Sequence, residues 1–331
     1  MSGIRICIPQ SMSVAHKKDN VASCYRADAV CAHLYARLQR EKIVARVDSV
    51  FPRAINFFSA GEMFSVLTAD RGLRPNAICL CANAPIRLCG SLLQPGMKTV
   101  FCRRGVFVEE RRLCGSLTFF TRREDLSVRR IRVNRALLPR QAGILKGVLA
   151  SLPDSDGLSC LATGSGTNLY ADFLRPRVKR FQTALKSGDP ALAAAAASQM
   201  AGCGVGLTPS SDDLLCGYFL AWQILTQKGG ERAYLDGLQA MAEKAAEKTN
   251  RISGAFLLQS ARGYAAEEVL CLLERLFGGA EEASLKKAAR RVLDIGATSG
   301  GDILTGVCLA LQYEDGGNWR DTYRDTKECL L

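Results

Sequence analysis

The pattern of apolar and polar residues changes about 140 residues into the chain. Between residues 57 and 135, short β-prone runs alternate with Gly, Pro and Asn, which is typical of a sheet-rich unit with tight turns. From about Pro139 onward, apolar residues recur at helical spacing. We therefore predict an α+β protein, with a β-rich, sandwich or barrel-like domain over residues 1–138 and a mainly α-helical domain over residues 139–331.

The individual elements follow from the same periodicity. Strands are predicted over residues 4–8, 43–47, 63–67, 77–80, 86–88, 99–101, 106–108, 117–120 and 127–133. Helices are predicted over about residues 27–41 and then over 141–149, 170–186, 190–200, 213–227, 231–248, 253–262, 265–277, 281–293 and 302–312. The apolar run that begins after residue 213 predicts a helix buried on most sides.

The segment GCGVGLTPSSDD at residues 202–213 carries the densest functional signal. Its glycines at every second position permit backbone conformations that side chains forbid. Pro209 ends any preceding helix, and Ser210 or Ser211 is placed to cap the next one. The loop therefore brings hydroxyls, carboxylates and free N–H groups to one helix N-terminus, which suits an anion or a metal-bound anion.

A second copy of this pattern occurs at residues 296–310. When Asp302 is aligned with Asp213, both copies have a Thr and a Ser before the Asp and a Gly four residues after it. Two loops of matched chemistry, each followed by an apolar helix, indicate that two helix N-termini converge on one pocket, and each N-terminus carries about half a positive elementary charge. We expect the pocket to hold a small dianion such as phosphate, with further hydrogen bonds from the hydroxyls.

Three aspartates complicate this anion site, because Asp212, Asp213 and Asp302 would repel an anion when ionised. They can cap the helices, bind a magnesium ion that bridges to the anion, or accept a proton from an amide. A third loop at residues 249–254 contains Arg251, which is suited to bidentate binding of a carboxylate or phosphate. An ordinary capped turn explains this third loop equally well.

Composition and charge narrow the class of protein. The 331 residues carry a net charge of +12, which favours anionic partners. Arginine doublets concentrate between residues 103 and 135, but no nucleic-acid reading motif accompanies them, so we expect an acidic partner subunit or a solvated face there. The 14 cysteines lie mostly in apolar runs beside only two histidines, which argues against a structural zinc site. Neither a signal peptide nor a membrane-spanning stretch is predicted, and we expect a reducing, cytoplasmic location.

Several motifs together resemble one bacterial family. The core is GxGLTPSxDDxLxG over residues 204–217, supported by SVFxxAIN at 49–56, by residues 249–253 and by TSGxD at 298–302. In these motifs the chain resembles the oxamate carbamoyltransferase subunit family, although Ser211 stands where that family usually has Gly. The resemblance implies conversion of oxalurate and phosphate to oxamate and carbamoyl phosphate in allantoin (purine) catabolism, together with two other subunit types.

The leading hypothesis is therefore a carbamoyltransferase subunit with small anionic substrates. It assigns catalysis to Asp212, Asp213 and Asp302, with Asp213 orienting the amide nitrogen. Substrate or anion binding is assigned to Gly204, Gly206, Thr208, Ser210, Ser211, Thr249, Arg251, Ser253, Thr298, Ser299 and Gly300. Two alternatives stay open: a magnesium-dependent hydrolase that uses the three aspartates as ligands, and a non-catalytic scaffold whose arginine-rich β domain docks an acidic partner.

Overall fold

A curled β-sheet followed by an array of helices confirms the predicted α+β class. The computed structural model describes residues 25–81, 93–117, 121–153, 157–226 and 232–315. The predicted strands at residues 4–8 and 86–88, and most of the one at 117–120, lie outside the described residues.

Nine strands within the described residues form one sheet. They are β1 (Ala27–Cys31), β2 (Ile43–Phe51), β3 (Ala54–Ser59), β4 (Glu62–Leu67), β5 (Ala77–Leu80), β6 (Lys98–Cys102), β7 (Gly105–Val108), β8 (Arg111–Cys114) and β9 (Arg122–Glu124). Their order across the sheet is β8-β7-β6-β2-β3-β4-β5-β1-β9. Neighbouring strands are antiparallel except for the pairs β4–β5 and β1–β9.

The two ends of this sheet approach each other. Tyr25, just before β1, pairs with Cys114 of β8, and its N–H donates to the carbonyl of Leu113 at 3.1 Å. The sheet therefore curls into a half-barrel, which is the barrel-like form of the prediction and not a sandwich of two sheets.

Two predicted elements of the N-terminal part differ from the structure. The helix predicted over residues 27–41 is shortened to α1 (Ala32–Leu38), because residues 27–31 pair with both β5 and β9 and are largely buried between them. The strand predicted over 127–133 contains instead a 3-10 turn, Val128–Arg130. The Ser127 hydroxyl accepts from Arg129 N–H there, so the chain satisfies its hydrogen bonds locally.

The helical part follows the predicted pattern closely. Its helices are α2 (Leu138–Ala150), α3 (Ser159–Thr163), α4 (Leu169–Lys186), α5 (Pro190–Met200), α6 (Ser210–Thr226), α7 (Arg232–Ala246), α8 (Arg251–Ala261), α9 (Glu267–Gly278), α10 (Glu282–Leu293) and α11 (Ser299–Asp315). Only the short α3 was not predicted. One continuous hydrophobic core runs from the sheet into these helices, and the domain division at residue 138 stays a prediction.

Two other observations concern the described residues as a set. None of their helices is long and apolar enough to cross a membrane. The ten cysteines among them are all free thiols. Burial raises the pKa of the Cys79 thiol to about 12, as expected for a cysteine that packs as a small hydrophobic residue.

Helix α6 is the centre of the helical part, with every residue from 210 to 225 buried. It crosses α11 at a pair of glycines. A Cβ added to Gly217 would lie 2.0 Å from the carbonyl oxygen of Ile303, and one added to Gly306 would lie 1.9 Å from that of Leu214. These residues correspond in the two sequence copies, so the contact is reciprocal and the repeat forms a local two-fold pair of helices.

We predict that Gly217→Ala lowers the free energy of unfolding by about 3 kcal/mol, because the new methyl group meets backbone that cannot move without separating the helices. Gly147→Ala in α2 is the matched control, since a Cβ there has no neighbour within 4 Å and alanine favours the helix by about 0.5–1 kcal/mol. Urea denaturation measures both. Equal changes in the free energy of unfolding of the two variants would contradict the close contact between α6 and α11.

Candidate functional site

A cavity of about 910 Å³ lies where the curled sheet meets the helices. Its walls come from β3, β4 and the turn that precedes each helix α6 and α11, together with α8 and the start of α9. The polar and charged residues that line it include Arg53, Asn56, Ser65, Arg71, Arg74, Thr208, Asp213, Gln259, Ser260, Tyr264, Thr298 and Ser299. The remaining wall is largely apolar.

The two repeated loops meet directly at this cavity. The hydroxyl of Thr208, in the first loop, lies 3.1 Å from the hydroxyl of Ser299 in the second. The same Thr208 hydroxyl donates to Asp213 Oδ2 at 2.9 Å. The glycine crossing of α6 and α11 places the two loops side by side, so Thr208, Ser299 and Asp213 form one polar cluster.

Asp213 is the acidic member of this cluster. Burial raises its pKa to about 8, with Asp302 and Asp212 adding to the increase, while hydrogen bonds from Ser299 and Thr208 oppose it. The side chain is therefore largely protonated at neutral pH and carries no charge. A neutral carboxyl group does not repel an anion, so Asp213, the one of the three aspartates that lines the cavity, does not oppose anion binding there.

Asp212, the neighbouring residue, lies outside the cavity and has a different environment. Its Oδ1 accepts from the N–H of Gly202 at 2.7 Å, and its Oδ2 accepts from the hydroxyls of Thr249 and Ser253, the latter at 2.7 Å. The carboxylate thus ties the glycine loop and the start of α8 to α6. Thr249 and Ser253, predicted to bind the substrate, hold Asp212 in the structure.

Asp302 is also buried behind the cavity wall. Its Oδ1 accepts from the N–H of Leu158 at 2.7 Å. Burial raises its pKa to about 6 against the opposing effect of Leu158 N–H, Ser210 and Thr298. The Oδ2 atom and the Ser210 hydroxyl nevertheless form no hydrogen bond of normal geometry with the described residues, and neither residue lines the cavity.

The helix N-termini differ in how many N–H groups they leave free. In α6, the N–H of Ser211 donates to the carbonyl of Cys203 at 2.9 Å, and those of Asp212 and Asp213 donate to the carbonyl of Pro209. The Ser211 hydroxyl accepts from Cys203 N–H at 2.9 Å and is buried away from the cavity. Because these groups already pair within the protein, α6 offers an anion less than its sequence suggests.

At the start of α11, no described residue accepts from the N–H of Ser299 or Gly300. Gly300 is required for packing, since an added Cβ would lie 2.2 Å from the carbonyl oxygen of Val292. Gly204 is similar: its φ is +126° and an added Cβ would lie 2.5 Å from the nitrogen of Ser210. Of the predicted glycines, only Gly206 lines the cavity.

Arg251 does not line the cavity. Its guanidinium pairs with Asp48 at 3.0 Å and lies 4.2 Å from the ring centroid of Phe58. The structure instead brings three other arginines, Arg53, Arg71 and Arg74, to the cavity wall.

Arg71 is the arginine of this group that forms no ion pair with the described residues; Arg53 pairs with Asp70 and Arg74 with Glu268. The Nη1 atom of Arg71 lies 3.5 Å from the carbonyl oxygen of Ile295, at the base of the second loop. Burial and the positive charges of Arg74 and Arg53 lower its pKa. A bound anion would relieve this repulsion. No sequence motif marks Arg71, because its proximity to residues 208 and 299 is created only by the fold.

Gln259 in α8 is a second residue that the sequence does not single out. It lines the cavity and is 7% exposed, and its Oε1 atom has no hydrogen-bond partner among the described residues. On the opposite wall, Asn56 and Ser65 are joined by a 2.9 Å hydrogen bond. The cavity thus combines apolar walls with a few fixed polar groups, as small-molecule sites do.

No set of three or more His, Cys, Asp or Glu side chains in the described residues is arranged to hold a metal ion. Asp212 is already saturated by protein donors, and only Asp213 of the three aspartates lines the cavity. Within the described part of the chain, the three aspartates therefore do not form the common ligand set that the magnesium-dependent hydrolase would need.

Comparison with known families supports the resemblance seen in the motifs. The family model described as "Oxamate carbamoyltransferase subunit AllH" matches residues 200–311, and the model described as "AllH family N-terminal domain" matches residues 22–122. The first match contains both loops of the site, and the second contains Arg53, Arg71 and Arg74. Comparison with curated proteins and with solved structures found no match.

The raised pKa of Asp213 predicts a pH-dependent stability. An unfolded aspartate ionises near pH 3.9, whereas the folded group stays protonated to about pH 8. Between these values unfolding releases a proton, so rising pH destabilises the fold. We expect Asp213→Asn to reduce the fall in Tm from about pH 5 to about pH 9 by at least about 2 °C. The exposed Asp236→Asn is the control, and an unchanged pH profile for Asp213→Asn would contradict the assignment.

Because protein donors satisfy both oxygens of the Asp212 carboxylate, we predict that even an isosteric substitution there greatly lowers the free energy of unfolding. Asp212→Asn replaces one acceptor oxygen with an NH2 group that cannot accept from its present donors, which should lower the free energy of unfolding by about 2–4 kcal/mol. Asp189→Asn is the matched control, because Asp189 is an exposed N-cap and Asn caps equally well. Chemical denaturation compares them. If Asp212→Asn lowered the free energy of unfolding no more than the control does, the role of Asp212 in tying the glycine loop and α8 to α6 would be refuted.

Proposed function

Because this chain belongs to the AllH family of oxamate carbamoyltransferase subunits, we propose that its cavity binds the substrates of carbamoyl transfer. These are oxamate and carbamoyl phosphate in one direction and oxalurate and phosphate in the other. We place the reaction in allantoin (purine) catabolism and assign it to a complex with other subunits.

One observation carries this proposal. Two loops of matched sequence meet at Thr208 and Ser299, beside the buried Asp213, in a cavity that is also lined by Arg71, an arginine without an ion pair among the described residues. The cluster offers hydroxyl and guanidinium donors, and the N–H group of Ser299, for which the described part of the chain supplies no acceptor, next to a neutral carboxyl group. These are the groups that recognise a small phosphate or carboxylate.

Carbamoyl transfer needs one proton to move. The oxamate nitrogen attacks the carbamoyl carbon, the C–O bond to phosphate breaks, and the nitrogen loses a proton. Asp213 in its ionised form is the candidate acceptor, and a pKa of about 8 keeps a minor population of that form available near neutral pH. In the reverse direction, the protonated carboxyl returns that proton to the nitrogen as phosphate attacks the carbamoyl carbon of oxalurate.

The remaining groups bind and orient the anions. We assign the substrate carboxylate to Arg71 and not to Arg251, whose guanidinium already pairs with Asp48. Thr208 and Ser299 are assigned to the phosphate, supported by Thr298 and the first N–H groups of α11. Positioning and charge stabilisation of this kind supply most of the catalysis in phosphate chemistry that uses no covalent intermediate.

The test uses the complete complex, with initial rates of carbamoyl phosphate formation from oxalurate and phosphate. We expect Arg71→Gln to raise the KM for oxalurate about 10–100-fold, because the charge-assisted hydrogen bond to the oxalurate carboxylate is lost. We expect Asp213→Asn to lower kcat about 100-fold or more, because the group that donates a proton to the leaving nitrogen is lost.

The control is Arg40→Gln, since Arg40 is exposed and does not line the cavity. Unchanged kcat and KM in both site variants would refute the proposed site. Calorimetric titration of the isolated chain with oxamate, which has the carboxylate but no phosphate, adds a readout that does not depend on turnover, and Arg71→Gln should weaken that binding in parallel.

A further inference from the structure

A hydrophobic patch lies at the edge of the candidate site. The described residues with large apolar side chains that are well exposed are Val44, Leu169, Phe173, Leu192, Val205 and Leu207. Val205 and Leu207 flank Gly206 in the first loop and line the cavity. Leu169 and Phe173 lie four residues apart in α4, on one face of that helix. We call these four side chains, Val205, Leu207, Leu169 and Phe173, the loop–α4 patch.

Helix α4 packs beside α5, the helix that leads into the first loop. Arg180 Nη1 of α4 donates to Gln199 Oε1 at 3.1 Å, one residue before the end of α5. Nearer the start of α4, the guanidinium carbon of Arg177 lies 3.4 Å from the ring centroid of Phe173, and its Nη1 donates to the carbonyl of Phe173 at 2.7 Å. Because a short turn joins the two helices as antiparallel neighbours, the start of α4 lies toward the end of α5 from which the loop begins.

The charges around the patch indicate what can cover it. Helix α4 contains one acidic residue, Asp172, and five basic ones: Arg175, Arg177, Lys179, Arg180 and Lys186. An apolar centre with a basic surround fits a protein surface that presents apolar side chains within an acidic rim. Exposed apolar side chains rimmed by polar and charged residues are typical of protein–protein interaction sites.

We propose that the loop–α4 patch is the docking surface for another subunit of the carbamoyltransferase complex, one with an acidic-rimmed apolar surface. The subunit role of the family supports a protein occupant, and the adjacent cavity makes the contact part of the substrate site. This surface differs from the arginine-rich strands considered from the sequence, where the exposed doublets of β8 and β9 lie at the ends of the sheet.

Docking on this patch also couples to the site itself, a step that rests on the proposed function. Leu207 directly precedes Thr208, whose hydroxyl contacts both Ser299 and Asp213. A partner that holds Val205 and Leu207 in place restricts the same backbone that positions Thr208. Subunit binding and anion binding therefore strengthen each other by the same factor, as linkage requires.

The test combines Leu169→Asp with Phe173→Asp, two exposed positions that do not line the cavity. Affinity for the purified partner subunits is measured by calorimetry or sedimentation with the full chain. We expect the double variant to bind them at least about tenfold more weakly than wild type, with unchanged Tm and unchanged phosphate affinity of the isolated chain. Val44→Asp, at another well-exposed apolar position in β2, is the matched control and should bind the partner subunits as wild type does.

Three outcomes would overturn the docking surface. The first is partner affinity of the double variant within about twofold of wild type, and the second is an equal loss in Val44→Asp. The third is a wild-type homodimer that the double variant dissociates, which would make a second copy of this chain the occupant. Failure of phosphate to bind the wild-type chain and complex would instead refute the proposed function and the coupling, while the partner affinities would still report on the patch.

Discussion

The close crossing of α6 and α11 is the contact on which the rest of the site depends. Two glycines, Gly217 and Gly306, each face a carbonyl oxygen of the opposite helix at a distance that leaves no room for a side chain. This approach brings the N-termini of the two helices together, and with them the loops that contain Thr208 and Ser299. Larger residues at the crossing would separate the loops, and the polar cluster would lose its geometry.

Around that crossing, three aspartates of similar sequence context have different chemistry because their surroundings differ. Asp212 is saturated by a backbone N–H and two hydroxyls, so it secures the loop. Asp213 faces the cavity, and burial raises its pKa to about 8. Asp302 is buried behind the wall with one oxygen bound to Leu158. Asp212 therefore has a structural role and Asp213 can exchange a proton, although both are aspartates. The difference comes from how many hydrogen-bond donors surround each carboxyl group and from how burial affects its pKa.

The curled sheet supplies a positively charged side chain that the helical loops do not bring to the cavity. The described residues of the helical loops contribute hydroxyls and a carboxyl group to the cavity but no cation, since Arg251 lies outside it and is paired with Asp48. Arg71, in the segment between β4 and β5, reaches the second loop at Ile295 and stays without an ion pair among the described residues. The segments matched by the N-terminal and C-terminal family models thus both line one cavity. One continuous hydrophobic core joins them and holds the two walls of the cavity together.

The sequence by itself determined the fold class, most helix boundaries, the repeated loop and the family, because periodicity, helix-stop residues and short motifs are local properties. It did not determine that residues 27–31 form a strand, since pairing on both sides outweighed a helical pattern. Nor could it separate Asp212 from Asp213, or select Arg71 over Arg251. Those distinctions depend on which side chains become neighbours and which lose water, and only the tertiary structure decides both.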